Sequence, residues 1–199
     1  MEMDGENRVE NNQPSLFVFM GLPASGKSTL ARAWARKHHF SYFNFDVVAS
    51  RLAGQHALSG KRKYTPQMTR RIYDALLTYA EQELTSGRTV VLDAFYGSCE
   101  ERARLTRLAE KIETIPHFAL CYCSEKVARL RLAERASGGK TEADAEWQNF
   151  KKLQENLESL DDLEPTMVVS INTEASQEQL LAQLDFVFEK RPPIKVLSQ

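Results

Sequence analysis

The chain has 199 residues, of which 26 are Lys or Arg and 27 are Asp or Glu, for a formal charge of -1. That length suits one α/β domain with a sizeable core and not two domains. The charge balance excludes the basic excess of a dedicated duplex-binding protein, and no apolar run approaches the ~20 residues of a membrane-spanning helix.

Met1 to Gln13 is polar and rich in Asn and Glu. Such a stretch cannot bury enough apolar surface to order itself, so residues 1–13 are expected to be a loose tail. The domain is expected over 14–191, followed by a short tail, 192–199, that contains Pro192-Pro193. The acidic start does not have the form of a secretory signal peptide. Cys99, Cys121 and Cys123 have no metal-ligand companions in the sequence, and a reduced cytoplasmic protein is the simple expectation.

The first structured element is the apolar run Leu16-Phe17-Val18-Phe19-Met20, read as a buried strand. Directly after it, Gly21-Leu22-Pro23-Ala24-Ser25-Gly26-Lys27-Ser28 matches the pattern Gly, four residues, Gly-Lys-Ser, with Thr29 following. A helical pattern then runs to about Lys37. In such a strand-loop-helix, successive backbone N–H groups point into one concavity at the positive end of a helix. The glycines let the backbone approach phosphate oxygens. Lys27 supplies a cation at the β/γ-phosphates and Ser28 a hydroxyl for Mg²⁺. The pattern predicts a site for a nucleoside triphosphate such as ATP.

Ser41 to Phe45 reads as the second strand, ending at Asp46, with a short helix through about Ala53. Gly54 to Tyr64 carries turn residues and the basic patch Lys61-Arg62-Lys63. A long helix is predicted over Pro66 to Ser86, with Thr65 as N-cap, an apolar stripe of Ile72, Leu76, Tyr79 and Ala80, and Gly87 at its end. Thr89 to Leu92 is the third strand and leads into Asp93. Ser98 to Lys111 is helical, His117 to Tyr122 is the fourth strand, and Glu125 to Ala136 is helical up to the Gly138-Gly139 break. A polar helix over Ala143 to Leu157 and a fifth strand over Met167 to Ile171 follow. Leu180, Leu181, Leu184, Val187 and Phe188 mark a last amphipathic helix. Five alternations of strand and helix predict a parallel sheet with helices on both faces.

Ligands of such sheets bind at the carboxyl ends of the strands, which singles out the residues there. Val90-Val91-Leu92-Asp93 has the form of a second nucleotide motif, whose carboxylate orients Mg²⁺; the alternative is an Asp capping the next turn. Asp46 reads equally as the base or orienting group for an acceptor hydroxyl and as the N-cap of the helix at Val47. Arg131 and Arg135 are four apart and share a helix face. They suit a lid that stabilises charge on the transferring group, or a solvated face paired with Glu134 or Glu125. Phe95-Tyr96, just after Asp93, is a packing pair or an acceptor contact. Lys61 to Lys63 is plain surface or a guide for an anionic acceptor.

Taken together, these motifs resemble the stand-alone P-loop kinases of the polynucleotide-kinase and zeta-toxin group. They are most similar to a set of bacterial kinases sometimes fused to aminoglycoside-phosphotransferase-like domains. The similar stretches are residues 21–29, Phe45 to Gly54, Tyr73-Asp74-Ala75-Leu76, Gly87 to Phe95, Arg131 to Arg135, and Asp144-Ala145, within about residues 16 to 188. The resemblance implies a nucleoside-kinase-like fold with strand order 2-3-1-4-5, a helical lid, ATP and Mg²⁺, and transfer to a hydroxyl. It implies Asp46 as base and lid roles for Arg131 and Arg135. The group often carries an arginine three residues after that Asp, where this chain has Ala49; Arg51 fits a second basic position of the same set. The expected acceptor is a small hydroxyl compound, with a 5′-hydroxyl nucleotide end or an ATP-binding switch without transfer as the alternatives. Long nucleic acid is not expected, because a polyanion groove requires several aligned Lys or Arg contacts.

Overall fold

The computed structural model describes residues 13–53, 64–136 and 139–189. The polar stretch through residue 12, the Lys61-Arg62-Lys63 patch, Gly138 and the tail with Pro192-Pro193 lie outside the described residues.

In chain order the elements are β1 (Leu16–Met20), α1 (Lys27–His38), β2 (Ser41–Asn44), α2 (Phe45–Ala53), α3 (Pro66–Thr85), β3 (Val90–Asp93) and α4 (Cys99–Lys111). Then come β4 (Pro116–Tyr122), α5 (Glu125–Arg135), α6 (Lys140–Glu155), a 3₁₀ turn (Pro165–Met167), β5 (Val168–Asn172) and α7 (Gln177–Glu189). The five strands pair in parallel in the order β2-β3-β1-β4-β5. Among the described residues, no helix is long and apolar enough to cross a membrane.

β1 is apolar at every position because both faces of the sheet are covered. Its side chains alternate between two cores. Leu16, Val18 and Met20 join Ile72, Leu76, Ala80 and Leu105 on the α2, α3 and α4 side. Phe17 and Phe19 join Leu30, Trp34, Leu180 and Leu184 on the α1 and α7 side. Thr65 caps α3 by accepting from the Met68 N–H at 3.2 Å.

One strand ends earlier than its apolar pattern indicates. β2 stops at Asn44, because the Asn44 side chain takes the N-cap seat of α2: its Oδ1 accepts from the N–H of Asp46 at 3.0 Å and of Val47 at 3.2 Å. Phe45 and Asp46 therefore belong to the first turn of α2 and not to a strand. Helix α6 starts at Lys140, earlier than the expected Ala143, because Gly139 at φ 75° turns the chain directly into it.

Arg102 of α4 is the largest fully buried side chain and has no counterpart among the residues singled out by motif. Its guanidinium donates to Asp162 (Nη2 to Oδ1, 2.6 Å), to the Ser159 carbonyl at 2.5 Å and to the Tyr96 carbonyl at 3.1 Å. Arg102 in turn holds the Asp162 carboxyl below its ordinary range. The pair ties the segment after β3 to the segment before β5. Asp162→Ala should cost about 3 kcal/mol, because it leaves a buried charge without its counter-ion. The check is urea unfolding, where the midpoint should fall with an unchanged slope.

Candidate functional site

The loop between β1 and α1 is closed by close approach and by left-handed backbone. Gly21 (φ 139°) donates its N–H to the Phe95 carbonyl at 3.3 Å, and a Cβ there would lie 2.3 Å from the Cys121 carbonyl oxygen. Gly26 (φ 84°) precedes α1, and a Cβ there would lie 2.7 Å from Thr173 Oγ1. Ala24 also has positive φ, at 58°. Leu22 and Ala24 pack against Ala128 and Leu132 of α5 and Phe150 of α6, so α5 and α6 hold the outside of the loop. Pro23 is half-buried between them in the chain, and the Ser25 N–H closes the turn onto the Leu22 carbonyl at 3.2 Å. Ser28 is half-buried and Thr29 exposed in the first turn of α1.

Lys27 Nζ donates to the Leu22 carbonyl at 3.2 Å. Burial pushes this ammonium below its ordinary value, against the opposing pull of Asp93, Cys121 and Asp46. Arg135 adds to the downward push. The charges of Asp93, Asp46 and Arg135, from β3, α2 and α5, thus all act on one lysine of the loop.

Asp93 is fully buried at the end of β3. Its Oδ2 accepts from Tyr42 OH at 2.6 Å and from Asn44 Nδ2 at 2.7 Å. Its Oδ1 is buried and has no hydrogen-bond partner. The alternative of an Asp capping the next turn does not describe these contacts, which run sideways to β2. Burial and the Asp93 carboxylate both push the Tyr42 hydroxyl up. Tyr42 and Asn44 went unrecognised in the sequence. The available signal was two polar-tipped residues, two apart, on the face of β2 that also carries the strand-end site.

Arg131 lies against the loop. Its Nη1 donates to the Ala24 carbonyl at 3.2 Å and to Thr173 Oγ1 at 3.1 Å, and its Nη2 to the Thr173 carbonyl at 2.9 Å. Thr173, just after β5, donates its own hydroxyl to the Ser25 carbonyl at 2.6 Å. Of the two suggested surface partners of this arginine pair, Glu125 is bonded instead to Lys151, while Glu134 is exposed beside Arg135 and lines the same cavity. Arg135 is exposed one turn further along α5. A cavity of about 320 Å³ opens here, lined by Gly26, Thr29, Arg131, Arg135, Thr173 and Gln177. No motif pointed to Thr173 either.

On the other side of the loop, Asp46 is exposed in the first turn of α2, and Arg51 is exposed in the last turn. Phe95 is half-buried, with its ring against Gly97, where a Cβ would lie 2.1 Å from Phe95 Cε1. Its neighbour Tyr96 is core: it is buried, its ring lies tilted against that of Tyr73 with centroids 5.2 Å apart, and its N–H donates to Tyr73 OH at 3.3 Å. Ala49 is buried in the core of α2.

Residues 16–160 match the AAA domain family AAA_33. The chain belongs to this family. The AAA-domain chain is 31% identical over 132 residues to an uncharacterized protein of Mycobacterium tuberculosis. The match takes in 63% of this chain but only 26% of that relative. It is 28% identical over 144 residues to the 2′,3′-cyclic-nucleotide 3′-phosphodiesterase of Mus musculus, covering 72% of this chain and 31% of the mouse protein. The chain thus spans between a quarter and a third of the curated relatives it matches. Among solved structures, a sugar kinase from Janibacter sp. HTCC2649 superposes with a TM-score of 0.66 at 17% identity, over 88% of this chain and 95% of that one. The Mycobacterium tuberculosis APS kinase CysC in complex with AMPPNP and APS superposes with a TM-score of 0.62 at 17% identity, over 88% and 98%. At this identity the likeness establishes the fold, which is that of P-loop kinases.

Proposed function

We propose that the AAA-domain chain is an ATP-dependent kinase that transfers the γ-phosphoryl group, with Mg²⁺, to a hydroxyl of a small-molecule acceptor. The observation that carries this reading is the tight glycine loop between β1 and α1 beside Asp93, which is fully buried at the end of β3 with Oδ1 unpartnered. The fold shared with sugar and APS kinases supports it.

The residues present fit the nucleotide and its metal. A Cβ at Gly21 or Gly26 would collide with the Cys121 carbonyl oxygen or with Thr173 Oγ1, so glycine is what lets the loop sit this tightly, and Ser25 Oγ and Asp93 Oδ1 are buried polar atoms without partners. Among the described residues, no group of three or more His, Cys, Asp or Glu could hold a metal by itself. That suits Mg²⁺, which uses one or two protein oxygens and takes the rest from phosphates and water. Gly21, Leu22, Pro23, Ala24, Ser25, Gly26, Lys27, Ser28 and Thr29 would hold the phosphates, Ser28 and Asp93 the metal, and the cavity beside Arg131 and Thr173 the nucleoside. Bound MgATP supplies the phosphoryl group and neutralises part of its charge.

The chain's own residues then have separable roles. Lys27 and Arg135 place positive charge around the transferring group. Asp46, released from capping by Asn44, orients the acceptor hydroxyl and takes its proton. Arg51 and Phe95 lie on the acceptor side. Phosphoryl transfer needs mostly positioning and charge stabilisation, which these groups provide.

Lys27→Ala removes a charge-assisted contact worth roughly 1.5–3 kcal/mol, so ATP should bind about ten- to a hundredfold more weakly. Calorimetry with Mg²⁺ present checks this, and unchanged affinity would remove the phosphate-loop assignment. The proposed function is tested by ATP turnover with and without a panel of small hydroxyl compounds, beside a 5′-hydroxyl oligonucleotide. Turnover should depend on a small acceptor. Turnover indifferent to every acceptor, or binding without turnover, would overturn it. Efficient end phosphorylation with salt-sensitive oligonucleotide binding would transfer the activity to nucleic acid ends.

A further inference from the structure

We infer that Asn44 and Tyr42 are positioning residues that set which oxygen of Asp93 faces the phosphate loop, and that Asn44 links this carboxylate to the helix that carries Asp46. The inference rests on the kinase reading, in which Asp93 serves the metal.

Strand register places Asn44 directly opposite Asp93, and Tyr42 opposite Val91. Tyr42 and Asn44 are two apart on one strand and therefore on one face. Both donate to the same oxygen, Oδ2 of Asp93. Rotating the carboxylate, which is fully buried, would break both bonds at once. The second oxygen, Oδ1, is thereby left without a partner, as a metal-facing oxygen must be. An acceptor carboxylate held through one oxygen by outer donors, with the other presented, is how surrounding hydrogen bonds orient metal ligands in general.

The amide of Asn44 is used at both ends. Nδ2 faces the carboxylate, and Oδ1 faces the N–H groups of Asp46 and Val47. The reverse orientation would set Oδ1 against a carboxylate oxygen and the amide N–H₂ against two backbone donors, so these partners define the orientation. Asn44 is also buried, which keeps this planar group from sampling other rotamers. One side chain thus joins the β3 carboxylate to the first turn of α2. Neither serine nor aspartate does both. Serine keeps a cap oxygen but is too short to reach as a donor, and aspartate keeps the cap but sets two carboxylates against each other.

The experiment is calorimetric titration of ATP with and without Mg²⁺, on wild type, Asn44→Ser, Tyr42→Phe and Asp93→Asn. Thermal unfolding is followed in parallel. Wild type should bind ATP more tightly with Mg²⁺, and Asp93→Asn should lose most of that gain. Asn44→Ser should fold, bind metal-free ATP as wild type does, and lose about tenfold of the Mg²⁺-dependent gain. Tyr42→Phe should lose a smaller part in the same direction. A merely structural Asn44 would change the unfolding temperature and leave the Mg²⁺ gain intact. If Asp93→Asn reduces the gain while Asn44→Ser and Tyr42→Phe do not, the positioning role is wrong and the metal role of Asp93 stands. If Asp93→Asn changes nothing, or wild type shows no gain, the underlying reading of Asp93 is wrong as well.

Discussion

Arg135→Ala should lower kcat by about 10³ while leaving ATP affinity within a few-fold of wild type. Arg131 and Arg135 of α5 share a face but not a situation. Arg131 spends its guanidinium on the Ala24 carbonyl and on Thr173. Arg135 is exposed, and its charge acts on Lys27. A guanidinium already bonded to the loop contributes the same interaction before and during transfer, and such uniform binding does not raise kcat. Arg131→Ala should therefore act on ATP affinity and on the stability of the loop, with kcat changed little. Steady-state kinetics on both variants separates the two roles. If neither variant lowers kcat, neither Arg131 nor Arg135 stabilises the transferring group.

Asp46→Asn should lower kcat by about 10²–10⁴ and leave ATP binding unchanged. The substitution keeps the shape of the side chain and removes its basicity. In many helices an Asp near the start would also be a cap, and a loss of activity could then be a loss of structure. Here Asn44 provides the cap, so that explanation is removed. Single-turnover transfer to the acceptor, with ATP affinity measured alongside, checks the prediction. A variant that phosphorylates its acceptor at the wild-type rate would show that the Asp46 carboxylate takes no proton.

The parts of the site that were legible in the sequence are those written in contiguous residues. Leu16 to Met20 is a strand because five successive apolar residues suit a sheet covered on both faces. The glycines at 21 and 26 stand at fixed spacing because a short loop must bend there, and both have positive φ. Asp93 was visible because it closes an apolar run, and Thr65 because it stands one residue before a helix-starting Pro66. The end of β2 was misplaced by one residue. The apolar pattern continues through Phe45, while the cap bond of Asn44, which ends the strand, leaves no trace in hydropathy.

By itself, then, the sequence determined a parallel α/β sheet, a glycine-bounded loop between its first strand and first helix, and the acidic and basic residues at the strand ends and on α5. These follow from periodicity and from local backbone geometry, which short stretches encode completely. The tertiary structure alone decided the partners. Asn44 meets Asp93 across 49 positions, Arg131 meets Thr173 across 42, and Arg102 meets Asp162 across 60. Each of these pairs depends on strand register or on the packing of one layer against another. That is also why Arg131 and Arg135, equivalent by spacing, differ in place: only the fold brings Thr173 beneath one of them.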